Sequence, residues 1–291
     1  NPSYLLDLKN FRGWLQTLNY SKSTVYDSPN CVKEILHYLE QNECFNYYHL
    51  SSNLIKNYFD YLQTRAKEKQ DGALSFGSLK KHQNAIVNYV TFLKKTGETV
   101  PSFSFPFLEN QSKQITVLSI EEVQQLFDAC SNDLIGKRTK AMLCLYYNCG
   151  LRKLEGINLN VEDIDLVKRL IFIRKSKTHR QRYVPISKGA KEIIEDYLYT
   201  TRELILPSNS NENAFLITNI GTRFSVSLAP YFLSQILKKI NNKNLTEKTT
   251  LHVLRHSIAT HLLKNGMSLE NIALFLGHTS LDSTQIYTHI L

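Results

Sequence analysis

The sequence lacks the features that mark several large classes of protein. Its 291 residues contain no apolar run long enough to span a bilayer, and we see no secretory signal at the N-terminus. Internal repeats and low-complexity tracts are absent as well, which argues against a repeat array. A chain of this length, with 42% hydrophobic residues, is typical of a globular protein with two domains.

Cysteine is scarce and has no pairing pattern. The five cysteines are odd in number and form no CxxC pair, so neither a disulfide framework nor a structural zinc site is expected. Most lie within apolar helical patterns, which predicts buried free thiols in a reducing cytoplasm. They are Cys31, Cys44, Cys130, Cys144 and Cys149.

Acidic residues are outnumbered. The chain has 26 Asp and Glu against 35 Lys and Arg, a formal charge of +9. Residues 1–112 hold 12 Lys and Arg against 10 Asp and Glu, and residues 113–291 hold 23 against 16. This excess permits a polyanionic partner, although an ordinary solvated basic surface gives the same count.

The spacing of apolar residues predicts a mainly helical protein with a small β hairpin. Residues 1–100 read as a four-helix domain, residues 101–116 as a linker that contains Pro101 and Pro106, and residues 117–291 as a second domain. On the fourth helix Lys80, Lys81 and His82 either face phosphates or form a wet helix face, and the sequence leaves both interpretations open.

The second domain opens with a capping box, Ser119 with Glu122. An apolar helix at 136–149 ends at Gly150, and Leu151-Arg152-Lys153-Leu154-Glu155 follows. Strand-like runs at 170–174 and 182–186 then flank a cationic turn. A basic hairpin tip suits a groove of nucleic acid, and its candidate contacts are Lys175, His179 and Arg180. Helices are predicted at 188–204, 228–242, 250–265 and 268–276, with a short strand at 214–218.

A polar cluster stands near the end of the chain. His252 and Arg255 are three residues apart and share a face of a helix. Gly277 is suited to stop the next helix, which leaves His278 at its end, and Tyr287 follows nine residues later. A tyrosine beside cations and imidazoles indicates a nucleophile for an anionic substrate. The alternative is a helical bundle with a few polar residues.

Five sequence motifs, in the order in which they occur along the chain, resemble those of a known protein family. They are Gly150-Leu151-Arg152-x-x-Glu155, the basic hairpin ending Val184-Pro185, His252-x-x-Arg255-His256, Leu276-Gly277-His278, and Thr284-Gln285-Ile286-Tyr287-Thr288-His289. Together they resemble the tyrosine site-specific recombinases of the phage-integrase and Xer type. The resemblance covers most of 113–291 and implies a SAM-like, core-binding helical domain before the catalytic domain.

The resemblance also implies roles for individual residues. Tyr287 would attack a DNA phosphodiester, and the proton for the leaving oxygen would come from Lys177, with Lys175 as the competing choice. Glu155 would buttress an arginine, whereas His256 and His261 would be structural. The residues that would bind the phosphate or assist proton transfer are Arg152, His252, Arg255 and His278. The reaction would need no cofactor, no metal and no ATP, and neither a P-loop nor a carboxylate cluster is present.

The implied partner is a double-stranded DNA core site with inverted half-sites, bound by a homo-tetramer or together with a related recombinase. We expect a cytoplasmic enzyme of DNA integration, resolution or inversion. Two alternatives are a type IB topoisomerase and a non-cleaving DNA-binding regulator on the same fold. The first residue is Asn1 and only four residues follow Tyr287, so we expect either a trimmed chain or a different contact between subunits at the C-terminus.

Overall fold

The computed structural model describes residues 2–65, 74–108, 115–174 and 181–278. The chain divides into two compact units between residues 113 and 114. Its described part is mainly helical, with a small antiparallel sheet in the second unit, which confirms the predicted fold class. None of the helices in those ranges is both long and apolar enough to cross a membrane.

The described residues of the first unit form four α-helices packed around one apolar core. The hydroxyls of Ser21, Ser51 and Ser75 each accept a hydrogen bond from a backbone N–H of the following helix, which satisfies a donor that the first turn leaves unpaired. Fully buried side chains such as Phe11 and Phe59 fill the space between the helices. The helices are α1 (Pro2–Thr17), α2 (Lys22–Gln41), α3 (Ser52–Thr64) and α4 (Phe76–Lys95).

Residues 101–108 of the predicted linker belong to the first unit and lie against its helices. The rings of Phe59 and Phe105 meet edge to face with their centroids 6.1 Å apart. The backbone N–H of Ser104 donates to the Ser52 hydroxyl at 2.9 Å. Aromatic packing and this hydrogen bond therefore hold the segment on α3.

The second unit is built around α6, whose residues 141–146 are all buried. The predicted capping box is present at the start of α5, where Ser119 and Glu122 exchange hydrogen bonds. The helix α8 continues through a π turn, Tyr197–Thr201, into α9. The helices are α5 (Ile120–Asp128), α6 (Leu134–Tyr146), α7 (Lys153–Ile157), α8 (Lys188–Asp196), α9 (Arg202–Ile205), α10 (Leu228–Ile240), α11 (Lys243–Lys248), α12 (Leu251–Lys264) and α13 (Leu269–Leu276).

Among the described residues, the sheet has three antiparallel strands in the order β1 (Ile164–Asp165), β2 (Leu170–Ile173) and β3 (Arg182–Pro185). Ile171 pairs with Val184, and both are fully buried, so one face of the predicted hairpin covers the core. The strand predicted at 214–218 is wrong, because the backbone there makes only isolated bridges to Asn160 and Arg223 in the described chain.

All five cysteines are free thiols. Cys44, Cys144 and Cys149 lie in the interior, as predicted, whereas Cys31 and Cys130 are only partly buried. Burial nevertheless raises the pKa of Cys31 and of Cys130 to about 11. These two thiols therefore stay protonated at neutral pH and are poor nucleophiles.

Candidate active site

A tight turn after α6 brings Arg152 to the start of α7. Gly150 has a φ of +57°, a region that costs an L residue roughly 1–2 kcal/mol. A Cβ atom at this position would lie 2.8 Å from the Phe275 ring of α13. Because the turn has no room for a side chain, glycine is required here, and Arg152 follows it at the N-cap of α7.

The end of α13 places His278. Gly277 has a φ of +67°, and the backbone N–H groups of Gly277 and His278 return to the carbonyls of Leu274 and Ala273 at 3.1 and 2.9 Å. This is a Schellman-type ending, for which glycine is the favoured residue. The prediction that Gly277 stops the helix and leaves His278 at its end is confirmed.

Two arginines meet at this helix end. The Arg152 Nη2 donates to the Gly277 carbonyl at 2.9 Å, and the Arg255 Nη2 donates to the Leu276 carbonyl at 2.7 Å. The Arg255 Nη1 also donates to the Gly150 carbonyl at 2.6 Å. The last carbonyls of a helix lack partners within it and carry partial negative charge, which cations satisfy. The side chain of Arg255 is 3% exposed and that of Arg152 is 24% exposed, so Arg152 is the one with access to solvent.

Glu155 is the buried anion of the site. Its carboxylate accepts the backbone N–H and the Nη1 of Arg152, each at 2.9 Å, and lies 3.9 Å from the Arg255 Nη1. Burial alone would raise the pKa of Glu155, but the hydrogen bonds and charges of Arg182 and Arg152 outweigh burial and hold the pKa at about 2. Glu155 is therefore ionised, and with three arginines around it the cluster carries a charge of +2.

The third arginine, Arg182, was not among the predicted site residues. Its Nη1 and Nη2 donate to the two oxygens of Glu155 at 2.9 Å each, and its Nε donates to the Phe275 carbonyl at 3.0 Å. The sequence held a signal for it, since Arg182 and Val184 share a face of β3 and Val184 is fully buried. An arginine on the inward face of a strand needs a buried partner.

The imidazoles of the site are held neutral. His252 is exposed on α12, and partial desolvation together with the charges of Arg255 and Arg152 lowers its pKa. Burial and the same two arginines lower the pKa of His278 to about 4. The rings of His252 and His256 lie 4.1 Å apart, and burial followed by this neighbour lowers the pKa of His256 to about 4. The two arginines therefore act on both of the predicted catalytic histidines.

His261 lies on the opposite side of its helix from these groups and is buried. Its Nδ1 lies 2.8 Å from the Tyr147 hydroxyl and its Nε2 lies 3.0 Å from the Leu118 carbonyl. These contacts join α12 to α6 and to the start of the second unit, which agrees with the predicted structural role.

Several predicted residues lie outside the described ranges. They are Lys175, Lys177, His179, Arg180 and Tyr287. Of the candidates on α4, Lys80 and Lys81 are exposed. His82 is buried and its Nδ1 lies 3.0 Å from the Tyr58 hydroxyl, so its proposed contact with DNA phosphate is corrected. His82 follows two exposed lysines in the sequence. Each residue of an α-helix is rotated by about 100° from the one before it, and this rotation points His82 into the core.

Known proteins share this chain's sequence pattern. Residues 116–291 match the model of the phage integrase family. Tyrosine recombinase XerD of Oceanobacillus iheyensis is 33% identical over 224 residues, which cover 76% of this chain and 74% of that protein. Tyrosine recombinase XerC of Listeria welshimeri is 28% identical over 277 residues, covering 94% and 88% respectively.

Solved structures share the fold. The XerH site-specific recombinase bound to its difH substrate superposes with a TM-score of 0.75 at 18% identity, covering 98% of this chain and 92% of that one. A lambda integrase dimer bound to a core site gives a TM-score of 0.72 at 15% identity, covering 95% of each chain. With a family match over residues 116–291 and a relative 33% identical over 76% of its length, this chain belongs to the phage integrase family and is a tyrosine recombinase, an enzyme of site-specific DNA recombination.

Proposed function

We propose that Tyr287 is the nucleophile that cleaves one strand of a DNA core site. Its hydroxyl oxygen forms a bond to the phosphorus of a phosphodiester, and the bond from phosphorus to the 5′ oxygen breaks. The 3′ phosphate is then linked to Tyr287, and the 5′ oxygen leaves as a hydroxyl after it gains a proton. The 5′ hydroxyl of another strand reverses the step. Each step exchanges one phosphoester for another, so the scheme requires no ATP.

Arg152, Arg255 and His278 converge at the end of α13, and the charges of both arginines act on His252; this arrangement carries the proposal. The pentavalent transition state places extra negative charge on the non-bridging oxygens. Planar guanidiniums suit these oxygens because they stay charged and can donate two bonds at once. Arg152 uses two of its five N–H donors on protein partners in the described chain, which leaves donors for a phosphate. The surplus charge of +2 favours an anion at this point.

A histidine and a lysine transfer the protons of the reaction, and a second histidine binds the phosphate. Tyrosine has an ordinary pKa of about 10 and is protonated at neutral pH, so Tyr287 must give up a proton as it attacks. A neutral His252 accepts that proton, and the lowered pKa of His252 keeps it in the accepting form. His278 donates a hydrogen bond to the phosphate. Lys177 supplies the proton to the leaving 5′ oxygen, with Lys175 as the rival.

We further propose that the enzyme works as a homo-tetramer, or with a related recombinase, on double-stranded DNA with inverted half-sites. The first unit contributes the exposed Lys80 and Lys81, whose charges displace counterions from the duplex. Residues 1–100 form the core-binding domain, residues 101–116 the linker and residues 117–291 the catalytic domain. The location that fits this work is the bacterial cytoplasm, where the DNA is.

Covalent capture tests the proposal. A core site is first selected by binding fragments of the protein's own genome and footprinting them. A nicked form of that site is then incubated with the protein, because loss of the short cleaved strand traps the phosphotyrosine. Wild type should give a protein–DNA adduct that resists denaturation, and Tyr287→Phe should give none.

The exposed Tyr183 and Tyr231 supply matched controls, and Tyr183→Phe and Tyr231→Phe should form the adduct as wild type does. An adduct that persists in Tyr287→Phe, or that maps to either of these two tyrosines, would overturn the mechanism. Relaxation of a supercoiled plasmid that has no selected site would instead indicate a topoisomerase, and specific binding without any adduct would indicate a regulator.

A further inference from the structure

Arg182 joins three parts of the catalytic unit. It is the first residue of β3, and its side chain is 9% exposed. Its two terminal nitrogens bind the carboxylate of Glu155 in a bidentate pair, and its Nε binds the Phe275 carbonyl near the end of α13. The absence of a side chain at Gly277 permits this approach, because a Cβ there would lie 2.8 Å from the Arg182 Cδ.

We propose that Arg182 is a positioning residue that holds the phosphate-binding arginines in place and leaves their charge available to DNA. The proposal rests on the function proposed above. Arg182 itself is turned toward Glu155 and α13, so it acts through these partners.

Arg182 and Arg152 share one carboxylate, that of Glu155. Arg182 donates one hydrogen bond to each oxygen of Glu155, and Arg152 donates the other two. Without Arg182, the negative charge of Glu155 would be matched by Arg152 and Arg255 alone, and the net charge of the cluster would fall from +2 to +1. The buried carboxylate would also draw Arg152 and Arg255 more strongly, away from a phosphate.

A second effect is geometric. The bond to the Phe275 carbonyl ties β3 to the last turn of α13, and Gly277 and His278 follow directly. Arg152 and Arg255 bind carbonyls of the same helix end. A shift of this turn would therefore displace three phosphate-binding groups together, and misplacement by about 1 Å can cost on the order of 10²-fold in rate.

The test is a double-mutant cycle on single-turnover cleavage of the nicked core site. Arg182→Gln should slow cleavage roughly 10- to 100-fold, by analogy with the loss of a hydrogen-bond partner behind a metal-ligating side chain. In the Glu155→Gln background, the same change should cost less, because the carboxylate is gone and only the bond to the Phe275 carbonyl is left to lose. Arg182→Lys keeps the charge but loses the bidentate fork, and should fall between Arg182→Gln and wild type.

A substrate with a methylphosphonate at the scissile position supplies a readout that a merely structural role would not move. It replaces a charged non-bridging oxygen with a methyl group. If Arg182 preserves charge for the phosphate, most of the Arg182→Gln defect should vanish on this neutral substrate. Arg202 is a matched control, since it is also buried and binds the carbonyls of Ala214 and Glu212. Arg202→Gln should lower stability but leave cleavage per folded molecule unchanged.

Wild-type cleavage by Arg182→Gln, or an equal defect on both substrates and in both backgrounds, would overturn the inference. If Arg182→Gln does not fold, as judged by circular dichroism, the same comparisons on Arg182→Lys decide it. Failure of the proposed function is distinguishable, because it would appear as an adduct that survives in Tyr287→Phe.

Discussion

Neutralising Glu155 is the sharpest test of how this site is held together. Its side chain is 2% exposed, and its pKa lies at about 2 against an ordinary 4.5. Since a difference of one in pKa corresponds to about 1.4 kcal/mol, the fold favours the carboxylate over the acid by roughly 3 kcal/mol. Removing one member of a buried ion pair costs a similar amount, about 3–5 kcal/mol. We therefore expect Glu155→Gln to lower the free energy of unfolding by about 3 kcal/mol at pH 7.

The stability difference between wild type and Glu155→Gln should depend on pH, and the direction follows from the lowered pKa of Glu155. A carboxyl whose pKa is depressed in the folded chain contributes stability that is fully present above its unfolded pKa, near 4.5, and that is lost as pH falls toward 2. Wild type should lose this contribution in that window, whereas Glu155→Gln has none to lose. The gap between the two proteins should therefore narrow as pH falls below 4.5.

Urea unfolding followed by far-UV circular dichroism measures the gap at each pH. Trp14 is the only tryptophan in the sequence and lies in the first unit, so its fluorescence records that unit separately. Glu192→Gln is the matched control, because Glu192 is exposed on α8 and such changes usually shift stability by less than about 0.5 kcal/mol. Equal stability of Glu155→Gln and wild type at pH 7, or a gap that widens in acid, would refute the reasoning.

The remaining predictions concern the phosphate arginines, a glycine, the hairpin lysines and salt. Arg152→Ala and Arg255→Ala should each slow cleavage on the order of 10²–10³-fold while DNA binding persists, and a normal rate on the nicked site would disprove either role. Gly277→Ala should lower the free energy of unfolding by at least about 1 kcal/mol in urea, because its φ is +67° and the left-handed region penalises a Cβ; unchanged stability would contradict this. Lys177→Ala should be rescued by a 5′-bridging sulfur, which leaves without a proton, and rescue of Lys175→Ala alone would transfer the role. The DNA affinity should fall steeply between low and moderate salt, so an almost constant dissociation constant would count against binding through phosphates.

Three arginines surround the single buried carboxylate of Glu155, so the positive charge of the site exceeds what is required to neutralise it. A buried pair of one carboxylate and one guanidinium would leave no net charge for DNA. Three guanidiniums around Glu155 are mutually repulsive, and the helix-end carbonyls of Leu276 and Gly277, together with Gly150, offset part of that repulsion. The excess charge is therefore a property of the folded site and not of any one residue.

Much of this molecule is determined by residues close together in the sequence. The capping box at Ser119 and the left-handed ending at Gly277 each depend on a few consecutive residues, and the pairing of β2 with β3 lies within residues 170–185. Such local preferences act before any tertiary contact forms, so they can be predicted from spacing and residue type. The order of the motifs around Arg152 and Arg255 also sufficed to indicate the family.

Only the tertiary structure decided which polar groups face inward and with which partners. Arg182 and Glu155 are 27 residues apart, and Arg255 reaches the Gly150 carbonyl across 105 residues. His82 looked like a surface neighbour of two lysines, yet it is buried against Tyr58. A helix or strand pattern fixes which residues share a face, but the side that becomes buried depends on how distant elements pack, because burial is favourable only where a partner satisfies the polar atoms.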